Sequence, residues 1–228
     1  MHQCKTKVII THVNEKCNDL LASESGHSSI LSILDKFNPW RYNKGMTNLD
    51  ELQELYLTRQ SCRSFDSNKT VDPALLERVC RLALLSPSAC NAQPWKLYAV
   101  TGEKAKELAK GLQDMGMNKF ASDAPALVAI TESKGNVTAS VGAKIKDNDF
   151  THNDIGILTA HLVLAAEAAG LQSCILGWRN EKKICEALSL PKGTRIPEVV
   201  ALGYATDGYE VRQKKRKNEK ETLVFINK

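Results

Sequence analysis

The chain has 228 residues, 43% of them hydrophobic and 25% charged, which is ordinary for a globular protein and excludes a largely disordered or collagen-like chain. No run approaches the roughly 18 to 20 consecutive apolar residues of a membrane-spanning helix, and the N-terminus lacks the apolar segment of a secretory signal, so we expect a cytoplasmic protein without a membrane partner. The net charge of +5 is concentrated in a C-terminal tail that begins at Arg212, a pattern that argues against a nucleic-acid-binding face.

Residues 1–45 differ in composition from the rest of the chain. They combine a short β-branched run at Val8–Val13 with a serine-rich segment at Ser23–Ser32. We therefore predict an N-terminal extension over 1–45 and one domain of ordinary enzyme size over 46–228. Met46 opens this domain and is a candidate translation start.

Beyond Met46 the predicted elements are helices and strands in a mixed order. Helices are expected at about 49–58, 73–86, 103–114, 153–170 and 180–188, and strands at 96–101, 126–132, 173–177 and 198–206. Asp72 followed by Pro73 indicates a helix start, because Asp caps the first turn and proline suits the first helical position. Ala126–Ile130 is short, apolar and β-branched, which is typical of a buried strand. The Gly-, Asn- and Lys-rich stretch over 133–150 predicts a loop long enough to cover a site.

The cysteines and histidines do not form a recognisable catalytic or metal-binding pattern. The seven cysteines lack the C-x-x-C spacing of a zinc, iron–sulfur or dithiol site, so we interpret them as reduced thiols and predict no metal. The five histidines are interpreted as surface or hydrogen-bonded core residues. There is no Gly-x-Ser-x-Gly elbow, no His-Glu-x-x-His motif and no Gly-x-x-x-x-Gly-Lys loop, so we predict no catalytic nucleophile from the protein.

The segment Arg59-Gln60-Ser61-Cys62-Arg63 predicts an anion-binding strand. In an extended chain, residues 59, 61 and 63 project from one face, so two guanidinium groups and a hydroxyl point the same way. Guanidinium groups offer the bidentate hydrogen bonds that suit phosphate. Taken alone, the same pattern also fits a solvated charged strand or turn.

A second polar segment runs from Pro87 to Trp95. Its prolines disfavour a helix, and its Ser, Asn and Gln side chains require hydrogen-bond partners when they are buried. A ligand could provide those partners. The alternative is a turn closed by local hydrogen bonds from Asn and Ser.

Together these two segments resemble a known signature. Arg-x-Ser-x-Arg-x-Phe over Arg59–Phe65, followed by Pro-Ser-x-x-Asn-x-Gln-Pro-Trp over Pro87–Trp95, is similar to the opening of nitroreductase-like flavoproteins. The likeness continues through Ser122–Pro125 and Leu176-Gly177 and covers about residues 50–226. In the tail, Lys214-Lys215-Arg216 resembles the Lys-x-Arg pair of the family, and a solvated basic tail or a nucleic-acid patch is the alternative for this run.

The resemblance implies an α+β, nitroreductase-like fold, with a mostly antiparallel central sheet wrapped by helices, and an intertwined homodimer. It also implies two FMN sites at the dimer interface. The C-terminal residues Thr222–Ile226 are expected to add a strand to the partner's sheet edge. The residues that the resemblance assigns to FMN are Arg59, Gln60, Ser61 and Arg63, then Pro87, Ser88 and Asn91 of the partner's loop, and Asn118, Leu176, Gly177, Lys214 and Arg216.

The resemblance further implies the chemistry. NAD(P)H delivers a hydride to N5 of FMN, leaves, and is replaced by a small electron-poor acceptor such as a nitroaromatic or a quinone, in a ping-pong mechanism. Two alternatives stay open on sequence alone. One is a non-catalytic flavin-binding or redox-sensing module, and the other is a nucleic-acid-binding protein that acts through the tail, Arg59 and Arg63.

Overall fold

A computed structural model describes residues 49–133 and 150–226, and these residues belong to one unit of the chain that starts at Leu49. The predicted extension over 1–45 lies outside the described residues, as does most of the predicted loop over 133–150. No helix in the described ranges is both long enough and apolar enough to cross a membrane.

The centre of the unit is a four-stranded sheet in which every pair of neighbours is antiparallel. The strands are β1 (Trp95–Thr101), β2 (Ala126–Glu132), β3 (Gln172–Leu176) and β4 (Glu198–Gly203), in the order β1-β2-β4-β3. The four predicted strands are confirmed, but β4 ends at Gly203 rather than at residue 206. Beyond Gly203 the chain no longer pairs with β3. It pairs instead with the end of Arg59–Phe65, which we call the signature segment, and the next residue, Asp66, donates from its N–H to the Tyr204 carbonyl at 2.9 Å.

Six α-helices surround the sheet in the described part of the chain. They are α1 (Leu49–Thr58), α2 (Pro73–Ala83), α3 (Gly102–Ala109), α4 (Phe150–Ala168), α5 (Glu181–Ala187) and α6 (Glu219–Thr222). The Asp72 cap of α2 is confirmed, because its carboxylate accepts from Ala74 N–H at 3.1 Å. Helix α3 is shorter than predicted and ends at Ala109, because Gly111 N–H and Leu112 N–H donate to carbonyls three residues back, those of Leu108 and Ala109, at 2.9 Å each.

The helices pack on both faces of the sheet, so the α+β fold with a helix-wrapped antiparallel sheet is confirmed. Successive strand residues point to opposite faces. In β2, Leu127 and Ala129 join a core with α3 and α5, whereas Val128 and Ile130 join a second core with α2 and α4. Both cores exclude water, and burial of each large aliphatic side chain contributes about 1.5 to 3 kcal/mol.

The signature segment lies along the exposed edge of β3. Ser61 forms a parallel bridge with Ser173, and Cys62 N–H donates to the Ser173 carbonyl at 2.9 Å. Further along, Thr206 N–H donates to the Ser64 carbonyl at 3.1 Å. The sheet therefore fixes the extended conformation of the signature, as its alternation of polar side chains predicted.

Candidate functional site

A cavity of about 340 Å³ lies between the signature segment and the C-terminal tail. It is lined by Arg59, Gln60, Ser61 and Arg63 from the signature and by Arg212, Gln213, Lys214, Lys215 and Arg216 from the tail. Six of these residues are cationic, and none of the lining residues in the described ranges is acidic. We call this space the cationic cavity. Six of the predicted site residues thus meet in one place: Arg59, Gln60, Ser61, Arg63, Lys214 and Arg216.

Gln60 joins the two sides of the cationic cavity. Its side chain is buried, and its amide group donates to the Glu210 carbonyl at 3.0 Å. Its amide oxygen accepts from the backbone N–H of Arg212 at 3.2 Å and from Nε of Arg212 at 3.3 Å. The predicted role of Gln60 was contact with a cofactor, whereas its polar side-chain atoms bond the tail, so it shapes the cavity wall.

The tail is held to the signature by further hydrogen bonds to its backbone. Arg212 donates from Nη2 to the Ser61 carbonyl at 2.8 Å, and Nζ of Lys214 donates to the Arg59 carbonyl. The Tyr209 hydroxyl accepts from Arg63 N–H at 3.3 Å. Sequence reasoning assigned no site role to Arg212, although the spacing of Arg212, Lys214 and Arg216 by two residues is a signal that could have indicated it.

The cations of the cavity repel one another. The pKa of Lys214 is lowered from its ordinary value, first by partial burial and then by the positive charges of Arg59 and Arg216. Like charges destabilise the protonated lysine, and an anion bound between them removes that penalty. Electrostatically, the cavity is therefore suited to a multiply charged anion such as a phosphate dianion.

Leu176 is the last residue of β3, and Gly177 follows it. Gly177 lies four residues beyond Ser173, which forms the bridge with Ser61. At about 3.3 Å per residue, Gly177 is roughly 13 Å along the strand from Ser173. Leu176 is buried and Gly177 is exposed. A Cβ at Gly177 would meet no atom within 4 Å, and its φ lies outside the left-handed range, so the packing of this chain does not require a glycine there.

Asn118 reaches the same end of β3. Its side-chain amide donates to the Trp178 carbonyl at 3.1 Å and to the Leu112 carbonyl at 3.3 Å. The indole N–H of Trp178 donates to the Asp114 carbonyl at 3.0 Å. Asn118 therefore connects the turn over 112–118 to the residue that follows Gly177.

The segment from Pro87 to Asn91 does not line the cationic cavity of its own chain. It contains a 3₁₀ turn at Ala89–Asn91, and the Ser88 hydroxyl accepts from Gln93 N–H at 3.0 Å. The Gln93 side chain donates to the Asn91 side-chain oxygen, also at 3.0 Å. Local hydrogen bonds thus close the turn, Asp154 also accepts from Ala89 N–H at 3.0 Å, and a contribution of Pro87, Ser88 and Asn91 to a partner's site stays a prediction.

Comparison with known proteins identifies the chain. The model of the nitroreductase family matches residues 56–204. The chain belongs to the nitroreductase family. The oxygen-insensitive NADPH nitroreductase of Helicobacter acinonychis is 26% identical over 209 residues, which cover 78% of this chain and 98% of that protein.

Two solved structures have the fold of this nitroreductase-family chain. A nitroreductase family protein from Streptococcus pneumoniae TIGR4 is 24% identical, covers 76% of this chain and 99% of its own, and has a TM-score of 0.63. An FMN-dependent nitroreductase from Clostridium difficile R20291 is 22% identical, covers 76% and 98% of the two chains, and has a TM-score of 0.60.

In this family member, Cys62 and Cys80 are poorly suited to act as nucleophiles at neutral pH. Burial raises the pKa of Cys80 to about 11 and also raises the pKa of Cys62, which lies within the signature between Ser61 and Arg63. A thiol that stays protonated is a weak nucleophile. His161 agrees with its predicted surface role, since its ring hydrogen-bonds the Ile157 carbonyl at 2.9 Å.

Proposed function

We propose that this member of the nitroreductase family is an FMN-dependent enzyme that transfers hydride from NAD(P)H to nitroaromatics, quinones or similar electron-poor acceptors by a ping-pong mechanism. The main support is the cationic cavity, with its six cations and no lining acid in the described ranges. The Helicobacter acinonychis relative is named as an NADPH nitroreductase and the Clostridium difficile structure as FMN-dependent, which agrees with this proposal.

The cavity fits the phosphate of FMN. Arg59, Ser61 and Arg63 present donors from one face of an extended segment, and Lys214 and Arg216 face them from the tail. A terminal phosphate dianion, as in FMN, offsets the mutual repulsion that lowers the pKa of Lys214. The chain has no Gly-rich dinucleotide loop of the kind that often accompanies FAD.

The other end of β3 fits the ring system. The roughly 13 Å of strand between Ser173 and Gly177 is long enough for an extended ribityl chain to separate phosphate from ring. The open space at Gly177 leaves room for a flat group to approach the backbone closely, which a side chain would prevent. We assign Leu176 and Gly177 to the ring and Asn118 to its edge.

When bound, FMN would supply the hydride-transfer chemistry between NAD(P)H and the acceptor. The protein would bind the flavin and orient it. Arg59, Ser61, Arg63, Lys214 and Arg216 hold the phosphate, and Gln60 keeps the tail against the signature. The open space at Gly177 would receive the nicotinamide and the acceptor in turn, which is why we propose ping-pong kinetics.

A homodimer would complete the site. In this proposal, Pro87, Ser88 and Asn91 reach the flavin of the partner subunit, and the C-terminal residues pair with its sheet. The pairing of the C-terminal residues with the partner's sheet is supported by four apolar residues that are each at least 53% exposed and lie in no helix or strand: Leu223, Val224, Phe225 and Ile226. We retain the division into an extension over 1–45 and a catalytic domain over 46–228 as part of this proposal.

The test is a titration of FMN into the flavin-free protein and into Arg59→Ala and Arg63→Ala variants. Each arginine that makes charge-assisted bonds to the phosphate should contribute on the order of 1.5 to 3 kcal/mol, or about ten- to more than a hundredfold in affinity. Arg81→Ala is the matched control, because Arg81 is exposed and pairs only with Glu77 along α2. Unchanged affinity in both signature variants would contradict the assignment of the cationic cavity to FMN.

The catalytic part is tested by anaerobic mixing of the FMN-loaded protein with NADH and with NADPH, followed by addition of nitroaromatics and quinones. We expect at least one pyridine nucleotide to bleach the flavin absorbance and at least one acceptor to restore it. Flavin that binds tightly but is bleached by neither nucleotide would favour a redox-sensing or flavin-binding module instead.

A further inference from the structure

The Arg179 side chain links three backbone and side-chain acceptors at the end of β3. Its Nη1 donates to the Gly177 carbonyl at 2.6 Å, its Nη2 donates to the Glu181 carboxylate at 2.9 Å, and its Nε donates to the Ile196 carbonyl. Only 18% of the side chain is exposed. A rigid guanidinium fork with three acceptors fixes the position of each of them.

Glu181 makes the arrangement rigid. Its two carboxylate oxygens accept from Arg179 and, at 3.2 Å, from Arg195, and it also accepts from Ile196 N–H at 3.3 Å. Arg195 is 60% exposed and does not touch Gly177 in this network. Arg179 and Arg195 therefore share Glu181 as a partner. Of the two, Arg179 also bonds the backbone just beyond β3.

The Gly177 carbonyl needs such a partner. Leu176 is held in the sheet by its pairing with Val199, but Gly177 is the first residue beyond the strand and, as glycine, has the greatest conformational freedom. Because the peptide unit is planar and trans, a carbonyl directed at Arg179 turns the Trp178 N–H to the opposite side. Asn118 holds the next carbonyl, that of Trp178.

The N–H groups of Gly177 and Trp178 are not used by the described part of the chain, where neither has a hydrogen-bond acceptor. Both residues are exposed, and the space at Gly177 is open. The segment therefore combines carbonyls that Arg179 and Asn118 hold in place with two unoccupied N–H donors and open space at Gly177.

We infer that Arg179 is a positioning residue that aims the backbone N–H of Trp178 at the ring of the bound flavin. This inference rests on the proposed function. A donor that is held in place stabilises the negative charge that the ring gains on reduction, at no reorganisation cost, so it raises the reduction potential of the flavin. A purely structural Arg179, which only joins α5 to the start of β4, would affect folding stability and leave the potential unchanged.

The experiment compares Arg179→Gln, Arg179→Lys and the control Arg195→Gln with the parent protein. FMN affinity, the two-electron reduction potential of bound FMN and the thermal stability of the flavin-free form are measured for each. We expect Arg179→Gln to favour oxidised over reduced flavin by about tenfold or more, a downward shift of about 30 mV or more for a two-electron couple. Arg179→Lys should retain part of the effect, because one ammonium group can still reach the Gly177 carbonyl.

Arg195→Gln removes a bond to the same carboxylate and should leave the potential at the parent value. An unchanged potential in both Arg179 variants, with lowered thermal stability, would overturn the positioning role and leave the proposed function intact. If Arg179→Gln does not fold, the Arg179→Lys potential decides the question by the same criterion. A parent protein that binds no FMN would overturn the proposed function itself.

Discussion

Gly177 and Gly203 are two glycines at strand ends with opposite surroundings. A Cβ at Gly203 would lie 2.4 Å from Pro125 Cδ and 3.2 Å from Phe65 Cδ1, whereas a Cβ at Gly177 would meet nothing within 4 Å. One glycine is required by packing inside the chain. The other has open space beside it, which the proposed function assigns to the flavin ring.

This contrast predicts opposite effects of the same substitution. Gly177→Ala should leave the flavin-free protein as stable as the parent, or more stable by about 0.4 to 1 kcal/mol, because the unfolded chain loses freedom. Its FMN affinity should nevertheless fall. Gly203→Ala should lower stability by about 1 to 3 kcal/mol through overpacking. Urea unfolding of the flavin-free forms and FMN titration measure both; an unstable Gly177→Ala protein that binds FMN normally would refute the distinction.

Lys214 gives a prediction that depends on pH. Partial burial, then Arg59 and Arg216, lower its pKa, so the folded chain binds this proton less tightly than the unfolded chain. The protonated lysine therefore lowers the stability of the flavin-free protein at neutral pH. The penalty disappears as the pH rises through the ordinary lysine value of 10.5.

Lys214→Gln removes the penalty together with one cation of the cavity. We expect the flavin-free variant to be at least as stable as the parent at pH 7, with the difference shrinking as the pH approaches 10.5. Its FMN affinity should fall by about tenfold or more, since a charge-assisted bond to phosphate is lost. Thermal unfolding between pH 7 and 10.5 and FMN titration test this. A less stable variant with full FMN affinity would contradict it.

At the scale of elements, the five helices and four strands that the sequence predicts between residues 49 and 206 are present, whereas the strand expected at Thr222–Ile226 stays a prediction. The Asp72 cap and the apolar run at Ala126–Ile130 are local signals, and the elements that they predict begin where expected. The errors concern the ends of elements. Helix α3 stops short because the hydrogen bonds after Ala109 change to a spacing of three residues, and β4 stops at Gly203 because the chain then pairs with the distant Phe65. Helix α6 has four residues and is too short for a periodic signal.

The C-terminal segment leads to a prediction about assembly. Deletion of residues 212–228 removes four of the six cations of the cavity and the exposed apolar residues after α6, so both FMN binding and dimer formation should be lost. Deletion of residues 223–228 alone keeps all six cations and should mainly weaken the dimer. Sedimentation and flavin content of the two truncated proteins measure this. A protein without 212–228 that stays dimeric and fully flavinated would exclude the tail from the site.

At the scale of the whole molecule, the sequence predicts the members of the site better than their interactions. The alternation of Arg59, Ser61 and Arg63 is local, and the structure places all three on the cationic cavity. The clamp by Gln60 and the bonds of Arg212 and Arg179 join residues that are distant in sequence or depend on a backbone turn. A sequence pattern does not predict such contacts, which become visible only in the folded structure.

The clamp between Gln60 and Arg212 also has a consequence for synthesis of the protein. The cationic cavity combines a segment near the start of the described unit with one near its end, and four of its six cations follow residue 211. A chain that terminates early can form α2, β1 and β2 and still lack most of the cationic cavity. Ligand binding stabilises only chains that have the complete site, by about 2.7 kcal/mol at a hundredfold excess of ligand over Kd. Flavin binding would thus stabilise full-length chains selectively and leave truncated chains without this stabilisation.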